Sequence, residues 1–336
     1  MAIRQSSENG RDGRTGGVPA PRGGGGGSGG GGRTARGGGR PPRRPRRRGL
    51  GERAMGRIFL TPSFAFMAVI ALFPVFYAVL MSLYEIRGFH QDFAGLGNYA
   101  RALTDPGFYN AALNTLVFTA ASVTLEFTVG LGFALIMHQA FVGRGLTRAV
   151  ILVPWVIPTA VAAQVWRYMF DHNPGFVNAV LGTDVNWLRD PVWSMVGIIA
   201  ADVWKTAPFV ALLLLAGLQT IPKDYYEAAE IDGAGVFQRF WSVTLPLLRP
   251  AIVVALLFRT VDALRMFDFA YVFAGYSNSL ATLSVYAQRF LVAEPRLGYA
   301  SALSTVTFVI VMLVGLAFIS RMGRHMVGDT AREVKR

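Results

Sequence analysis

The sequence predicts an all-α protein: a bundle of six transmembrane helices with one short cytoplasmic helix between the fourth and the fifth. Three observations predict it. Of 336 residues, 52% are hydrophobic and only 16% are charged, where a soluble domain carries about a quarter charged residues; the mean hydropathy is +0.39. Six segments hold the roughly 20 mostly apolar residues that a membrane crossing requires. Between the fourth and fifth, a polar stretch punctuated by Pro222, Gly233, Pro246 and Pro250 reads as helix, turn, helix.

The formal charge of +13 is concentrated at one end. Residues 1–57 carry 14 of the 33 Lys+Arg, 3 of the 20 Asp+Glu and 19 of the 38 glycines. Such a segment cannot bury enough apolar surface to offset its ordering entropy, so a disordered Gly/Arg/Pro-rich tail is expected. Two uses compete: a polybasic clamp on anionic lipid, or a spacer whose charges hold the N-terminus inside, which is the favoured one. Translation starting at Met55 is a further expectation. No aromatic residue is interleaved for base stacking, so no nucleic-acid partner is expected. With no cysteine in the chain, disulfide, zinc-thiolate, iron–sulfur and thiol chemistry are excluded.

The spans are read as Ile58–Tyr84, Asn110–His138, Ala149–Phe170, Val192–Leu218, Pro250–Ala274 and Tyr299–Arg321. Pro74, Pro154, Pro158 and Pro208 are expected to kink them. Basic residues gather in the tail, after span two (Arg144, Arg148), after span four (Lys223, Arg239, Arg249) and at the C-terminus. The positive-inside rule then puts both termini in the cytoplasm. The division is a tail over 1–57, a six-span domain over 58–324 with a loop over 219–250, and a cytoplasmic tail over 325–336. Trp155, Trp166, Trp187 and Trp193 are expected in an aromatic belt near outer helix ends.

The loop carries the most information. Pro222 stops span four, Asp224 is placed to N-cap a short helix, and Glu227 three residues on completes a capping-box-like pair. Gly233 is placed to end that helix. Phe237, Phe240 and Trp241 give the next segment an apolar face, and Pro246 and Pro250 lead into span five.

Glu227, Ala228, Ala229, Gly233, Leu245 and Pro246 stand at the spacing of the E-A-A…G…L-P loop, and the chain resembles the permeases of ABC importers. Val243 stands where the family usually has isoleucine. Gly95-Leu96-Gly97-Asn98-Tyr99, Asn114-Thr115, Ala216-Gly217-Leu218-Gln219, Ile231-Asp232-Gly233-Ala234, Phe267-Asp268 and Ala270-Tyr271 look like the carbohydrate-type branch. The likeness runs from Ile58 to Arg324. It implies a type I permease fold in a bacterial inner membrane. It implies that Asp224, Glu227, Ala228, Ala229, Asp232, Gly233, Leu245 and Pro246 couple to a separate ATPase dimer. A second, non-identical permease and an extracytoplasmic solute-binding protein or lipoprotein are the other implied partners. The substrate implied is a sugar, a disaccharide such as trehalose or maltose. The chain has no G-x-x-x-x-G-K-[ST], so no phosphate-cradling loop. It is read as a non-catalytic subunit with no cofactor of its own, ATP and Mg being bound by the ATPase.

Charges inside spans are functional candidates by default. Arg259, Asp262, Arg265 and Asp268 alternate in sign at i, i+3 along span five, and Asp202 and Lys205 do so in span four; Glu126 stands alone in span two. They either line the path or pair only for assembly. By resemblance to maltose permeases, the path residues are Asp202, Trp204, Lys205, Thr206, Phe209, Asp262, Ala263 and Met266; the reading of the charges adds Arg265. The family's asparagine-rich fifth-span pattern is absent. His90, His138, His172 and His325 lack metal-ligand spacing, and no metal site is expected. The alternatives are a permease for a polyol, glycerol phosphate, amino acid, polyamine or phosphate, and a secondary carrier using the span-five charges as an ion relay.

Overall fold

The structure, a computed structural model, describes residues 52–87, 90–172, 175–277 and 279–333. The expectation for the basic tail lies outside these residues up to residue 51. Contacts divide the chain at Ile58, and the unit that follows, Phe59–Arg336, is the one described below.

Helix α1 (Glu52–Ser82) leads into a hairpin of β1 (Tyr84–Arg87) and β2 (His90–Phe93), paired antiparallel with Tyr84 opposite Phe93. Then come α2 (Gly97–Thr104), α3 (Pro106–His138), α4 (Arg144–Val156), α5 (Thr159–Met169), α6 (Phe176–Leu181) and α7 (Pro191–Gln219). The loop region holds α8 (Lys223–Ile231) and α9 (Val236–Arg239). A π-turn over Phe240–Thr244 joins α9 to α10 (Leu245–Leu264). The chain closes with α11 (Asp268–Ala274), α12 (Leu283–Val292) and α13 (Leu297–Glu333). Among the described residues five helices can cross a membrane by length and composition, or six if α4 and α5 form one broken span.

Four expectations are corrected. Helix α1 begins at Glu52, inside the segment read as disordered, because Glu52, Arg53, Ala54 and Met55 are adequate helix formers feeding an apolar run. Tyr84 is the first residue of the hairpin, not the end of span one. Span three is not one kinked helix: α4 and α5 meet at 92°. Pro158 lacks an N–H and holds Ile157 extended at ψ 131°, which stops the helix before it. Span five starts earlier than Pro250, through α9 and the π-turn, and its main helix stops at Leu264 rather than Ala274.

Helices α3, α7 and α10 form the centre. At about 1.5 Å per residue, α7 is ~43 Å long, enough to cross the ~30 Å hydrocarbon layer. Close approach explains two glycines. A Cβ on Gly130 would lie 2.8 Å from Val210 Cβ, and one on Gly217 would lie 2.4 Å from Ala251 Cβ. Met137, Leu214, Leu218 and Leu248 pack at one end of these helices; Phe118, Phe170, Ile198 and Phe273 fill the middle and far end. Helix α1, in contrast, leaves its apolar side chains exposed.

Short polar side chains fix the connections. Asn98 Nδ2 donates to the carbonyls of Ser82 and Tyr84, each at 2.9 Å, tying α2 to the hairpin. Asn114 Nδ2 donates to the carbonyls of Ser279 and Ala281 at 3.1 Å, and Thr115 Oγ1 accepts from the Leu283 N–H at 2.9 Å. The Gly97-Asn98-Tyr99 and Asn114-Thr115 segments therefore hold loops to helices.

Candidate functional site

A cavity of about 680 Å³ opens beside the centre of the bundle. On α7, Asp202, Lys205, Thr206 and Phe209 share one face, since they stand at i, i+3, i+4 and i+7; all four line it. Trp155 and Thr159, flanking the break between α4 and α5, form a second wall, and α10 supplies Phe258, Arg259, Asp262 and Ala263. The segment from Arg265 to Phe269, where α10 gives way to α11, closes the third side. That break is held by the Arg265 and Met266 N–H groups on the carbonyls of Asp262 and Ala263, and by Thr282 Oγ1 donating to Met266 O at 2.7 Å. The indole of Trp155 stacks on Phe209, with centroids 5.8 Å apart and planes at 20°. Phe258 meets Phe209 edge-on at 6.3 Å. One wall is thus an aromatic platform and the others are charged.

Behind the charged wall lies a buried ion cluster. Arg259, with a side chain only 4% exposed, donates through Nε and Nη2 to both oxygens of Glu126 on α3. Its Nη2 also reaches Asp202 Oδ2 on α7 at 3.0 Å, and its Nη1 reaches Asp262 Oδ2 at 2.5 Å. The Thr206 hydroxyl lies 2.7 Å from Glu126 Oε1. A guanidinium suits this role because its planar fork of donors satisfies several carboxylates at once. Lys205 Nζ lies 3.5 Å from the Trp155 carbonyl and adds a second positive charge beside Asp202. Glu126 and Arg259 are buried, whereas the Asp262 side chain is 63% exposed and turns to the cavity.

At the opposite end of α7 from its start at Pro191, α8 projects on a surface of its own. Pro222, at ψ 141°, starts the helix as its N-cap. The capping box is a corrected expectation: Asp224 makes no capping hydrogen bond and sits in the first turn, where its charge suits the helix dipole. The other end follows the sequence reading. Gly233 takes a left-handed φ of 76°. Its N–H bonds Glu230 O at 3.0 Å, and the Ala234 N–H bonds Ala229 O at 2.9 Å, which completes a Schellman motif. Glu227, Ala228 and Asp232 are exposed. So are Ile231 at 87% and Phe237 at 80%. Leu245 and Pro246 open α10.

Residues 126–328 match the family of binding-protein-dependent transport system inner membrane components. The chain belongs to that family. It is 41% identical over 280 residues to the trehalose/maltose transport system permease protein MalF of Thermococcus litoralis, covering 81% of this chain and 95% of that one. It is 39% identical to the trehalose transport system permease protein SugA of Mycobacterium tuberculosis, covering 83% and 92%. It is 37% identical to the sulfoquinovosyl glycerol transport system permease protein SmoG of Agrobacterium fabrum, covering 80% and 91%. A bacterial ABC transporter involved in alginate import shares the fold at a TM-score of 0.71 and 22% identity, covering 80% of this chain and 95% of that one. The chain is therefore a multi-pass inner-membrane permease component, a transport subunit of a non-catalytic class.

Of the path residues named from the permease's sequence, Asp202, Lys205, Thr206, Phe209, Asp262, Ala263, Arg265 and Met266 line the cavity. Trp204 does not. Two positions past Asp202, it projects to another side of α7, 40% exposed, with its ring edge-on to Trp166 at 5.5 Å. The continuous charge stripe is also corrected: Arg259 and Asp262 pair at i, i+3, but Arg265 and Asp268 fall beyond the end of α10. Sequence reasoning missed Trp155, assigned to the belt, and left Glu126 without a partner. The apolar surroundings of Glu126 in span two were the available signal for the latter.

Proposed function

We propose that this chain is a transmembrane subunit of an ATP-driven sugar importer. It forms part of the translocation path and takes a neutral disaccharide such as trehalose or maltose. The observation that carries this is the cavity wall: a Trp155–Phe209 platform facing Asp262, Lys205 and Arg265. Sugars present apolar ring faces and a rim of hydroxyls. Aromatic surface suits the first, and charge-assisted hydrogen bonds suit the second. The volume lies within the 300–1,000 Å³ of small-molecule sites. The names of the relatives, two of them trehalose or trehalose/maltose permeases, support the same class.

In this reading both termini and α8 face the cytoplasm, in keeping with the basic loops. Helix α8 seats on a separate ATPase that binds ATP and Mg; its short length, its fixed ends and the exposed Ile231 and Phe237 suit a rigid docking element. A solute-binding protein delivers sugar on the other side, and a second, non-identical permease completes the cavity. Closure of the ATPase dimer moves α8 and turns the cavity outward; hydrolysis returns it inward.

The test is uptake by proteoliposomes holding the four components. ATP-dependent import of trehalose or maltose is expected, and Trp155→Ala or Asp262→Asn should raise the KM about tenfold, the loss of one good polar or stacking contact. Uptake without nucleotide would overturn the importer reading. Import of another solute class with neither sugar competing would overturn the sugar assignment.

A further inference from the structure

We infer that Tyr226 is a positioning residue for energy coupling: through Thr244 it locks α8 onto the π-turn that opens α10. This rests on the importer reading above and deepens its account of the loop.

The π-turn has a chemical cause. Pro246 has no N–H to give the carbonyl four residues back, and its ring crowds that carbonyl. The helix answers by widening just before it: over Phe240–Thr244 the bonding lengthens by one residue, and the Leu245 N–H reaches Phe240 O. Such single-turn π segments are rare and cluster at functional sites. The Leu245-Pro246 pair is therefore the origin of a wide turn at the foot of α10.

That turn and the residue just before it are each tied to α8. Tyr226, half-buried on the inner side of α8, has its hydroxyl 3.2 Å from Thr244 Oγ1. Thr244 is 5% exposed, and its hydroxyl lies 3.5 Å from Arg239 O, five residues back. With the threonine proton directed to that carbonyl, Thr244 Oγ1 accepts from the tyrosine. On the exposed side Arg239 Nη1 pairs with Glu230 Oε2 at 3.1 Å. Helix α10 then runs unbroken from Leu245 to Leu264, carrying Arg259 and Asp262 to the cavity. Displacement of α8 thus reaches the charged wall through one partly buried hydroxyl pair and one stiff helix. The exposed ion pair contributes little, so the partly buried hydroxyl pair holds the register.

The experiment uses the full complex in proteoliposomes and reads sugar imported per ATP hydrolysed. Tyr226→Phe and Thr244→Val remove a hydroxyl while keeping shape. Each should lower the ratio about fivefold, the scale of one lost hydrogen bond, with the ATPase still co-purifying. The double variant should be no worse than either single one, and Thr244→Ser, which keeps the hydroxyl, should hold the wild-type ratio. A merely structural role would lower expression and melting temperature and leave the ratio unmoved. Unchanged ratios in both single variants, with wild-type coupling intact, would overturn this inference alone. A wild-type complex importing sugar without nucleotide would overturn it together with the importer reading.

Discussion

Arg259 and Glu126 lie 133 residues apart in the chain, and the guanidinium of one donates to both carboxylate oxygens of the other. This contact joins α10 to α3 at membrane depth, and Asp202 brings in α7. Charges in a low-dielectric bundle persist only when paired, because desolvation otherwise outweighs their other interactions. The cluster fixes the helices behind the cavity and leaves Asp262 as its accessible member.

Removing the shared cation alone should therefore be worse than removing it together with Glu126. Glu126→Ala leaves a buried guanidinium short of a carboxylate and should destabilise by about 3–5 kcal/mol. Arg259→Lys keeps the charge but loses the fork, and should also destabilise. The double variant Glu126→Leu with Arg259→Met should unfold at a higher temperature than Arg259→Ala, which leaves both Glu126 and Asp202 buried without their cation. Thermal unfolding of the detergent-solubilised protein measures all four. A double variant as unstable as the sum of its single changes would contradict the pairing.

Gly233 gives a second prediction. Its φ of 76° is left-handed, and a Cβ there would meet nothing within 4 Å. The penalty for another residue is thus conformational rather than steric. Gly233→Ala should cost about 1–2 kcal/mol, and Gly233→Asn less, because asparagine tolerates that region. If α8 docks as proposed, ATPase stimulation by the loaded binding protein should fall in the order glycine, asparagine, alanine.

What the sequence revealed followed from local rules. The proline before α8 and the glycine after it each act within a few residues, and each is where the pattern put it; the apolar runs mark spans, although three of them have other limits or breaks than the pattern gave. The face shared by Asp202, Lys205, Thr206 and Phe209 was legible for the same reason, as helical period. The end of α10 at Leu264 was not: no proline or glycine stands at Arg265-Met266-Phe267, and the turn is fixed from outside by Thr282. Glu126 could be flagged as anomalous, but its partner on α10 is a tertiary fact. Trp155 came to the cavity because α4 and α5 bend sharply, and the angle at a proline depends on what the two arms pack against.

Glycines separate packing from propensity. Gly217 faces Ala251 and Leu248 so closely that a Cβ would lie 2.4 Å from Ala251 Cβ. Gly217→Ala should destabilise by about 1–3 kcal/mol, the cost of overpacking. Gly132, in the same central bundle, meets nothing within 4 Å. Gly132→Ala should instead stabilise α3 by about 0.5–1 kcal/mol, since alanine loses less backbone freedom. Opposite shifts in melting temperature are expected; shifts of the same sign would mean that α7 and α10 do not meet at Gly217.

Asp105 predicts an acid-sensitive junction between α2, α3, α12 and α13. Its carboxylate caps α3 through the Gly107 N–H at 2.9 Å and accepts from Tyr286 and Tyr299 at 2.7 and 2.8 Å. Burial alone would push the carboxyl up, but these hydrogen bonds outweigh it and hold Asp105 below the usual carboxylate range. A depressed value in the folded state means that the stabilisation is full above the unfolded value near pH ~3.9. It is lost as pH falls through the lower folded value. Burial, and then the bond to Asp105, moves the Tyr286 hydroxyl the other way, upward. Its contribution is full below about pH 10 and declines as pH rises toward the folded value. Asp105→Asn should lower the melting temperature at pH 7, and the gap from wild type should narrow as pH drops below about 4. A gap that stayed constant from pH 7 down to pH 3 would show that the charge of Asp105 is not what the two tyrosines hold.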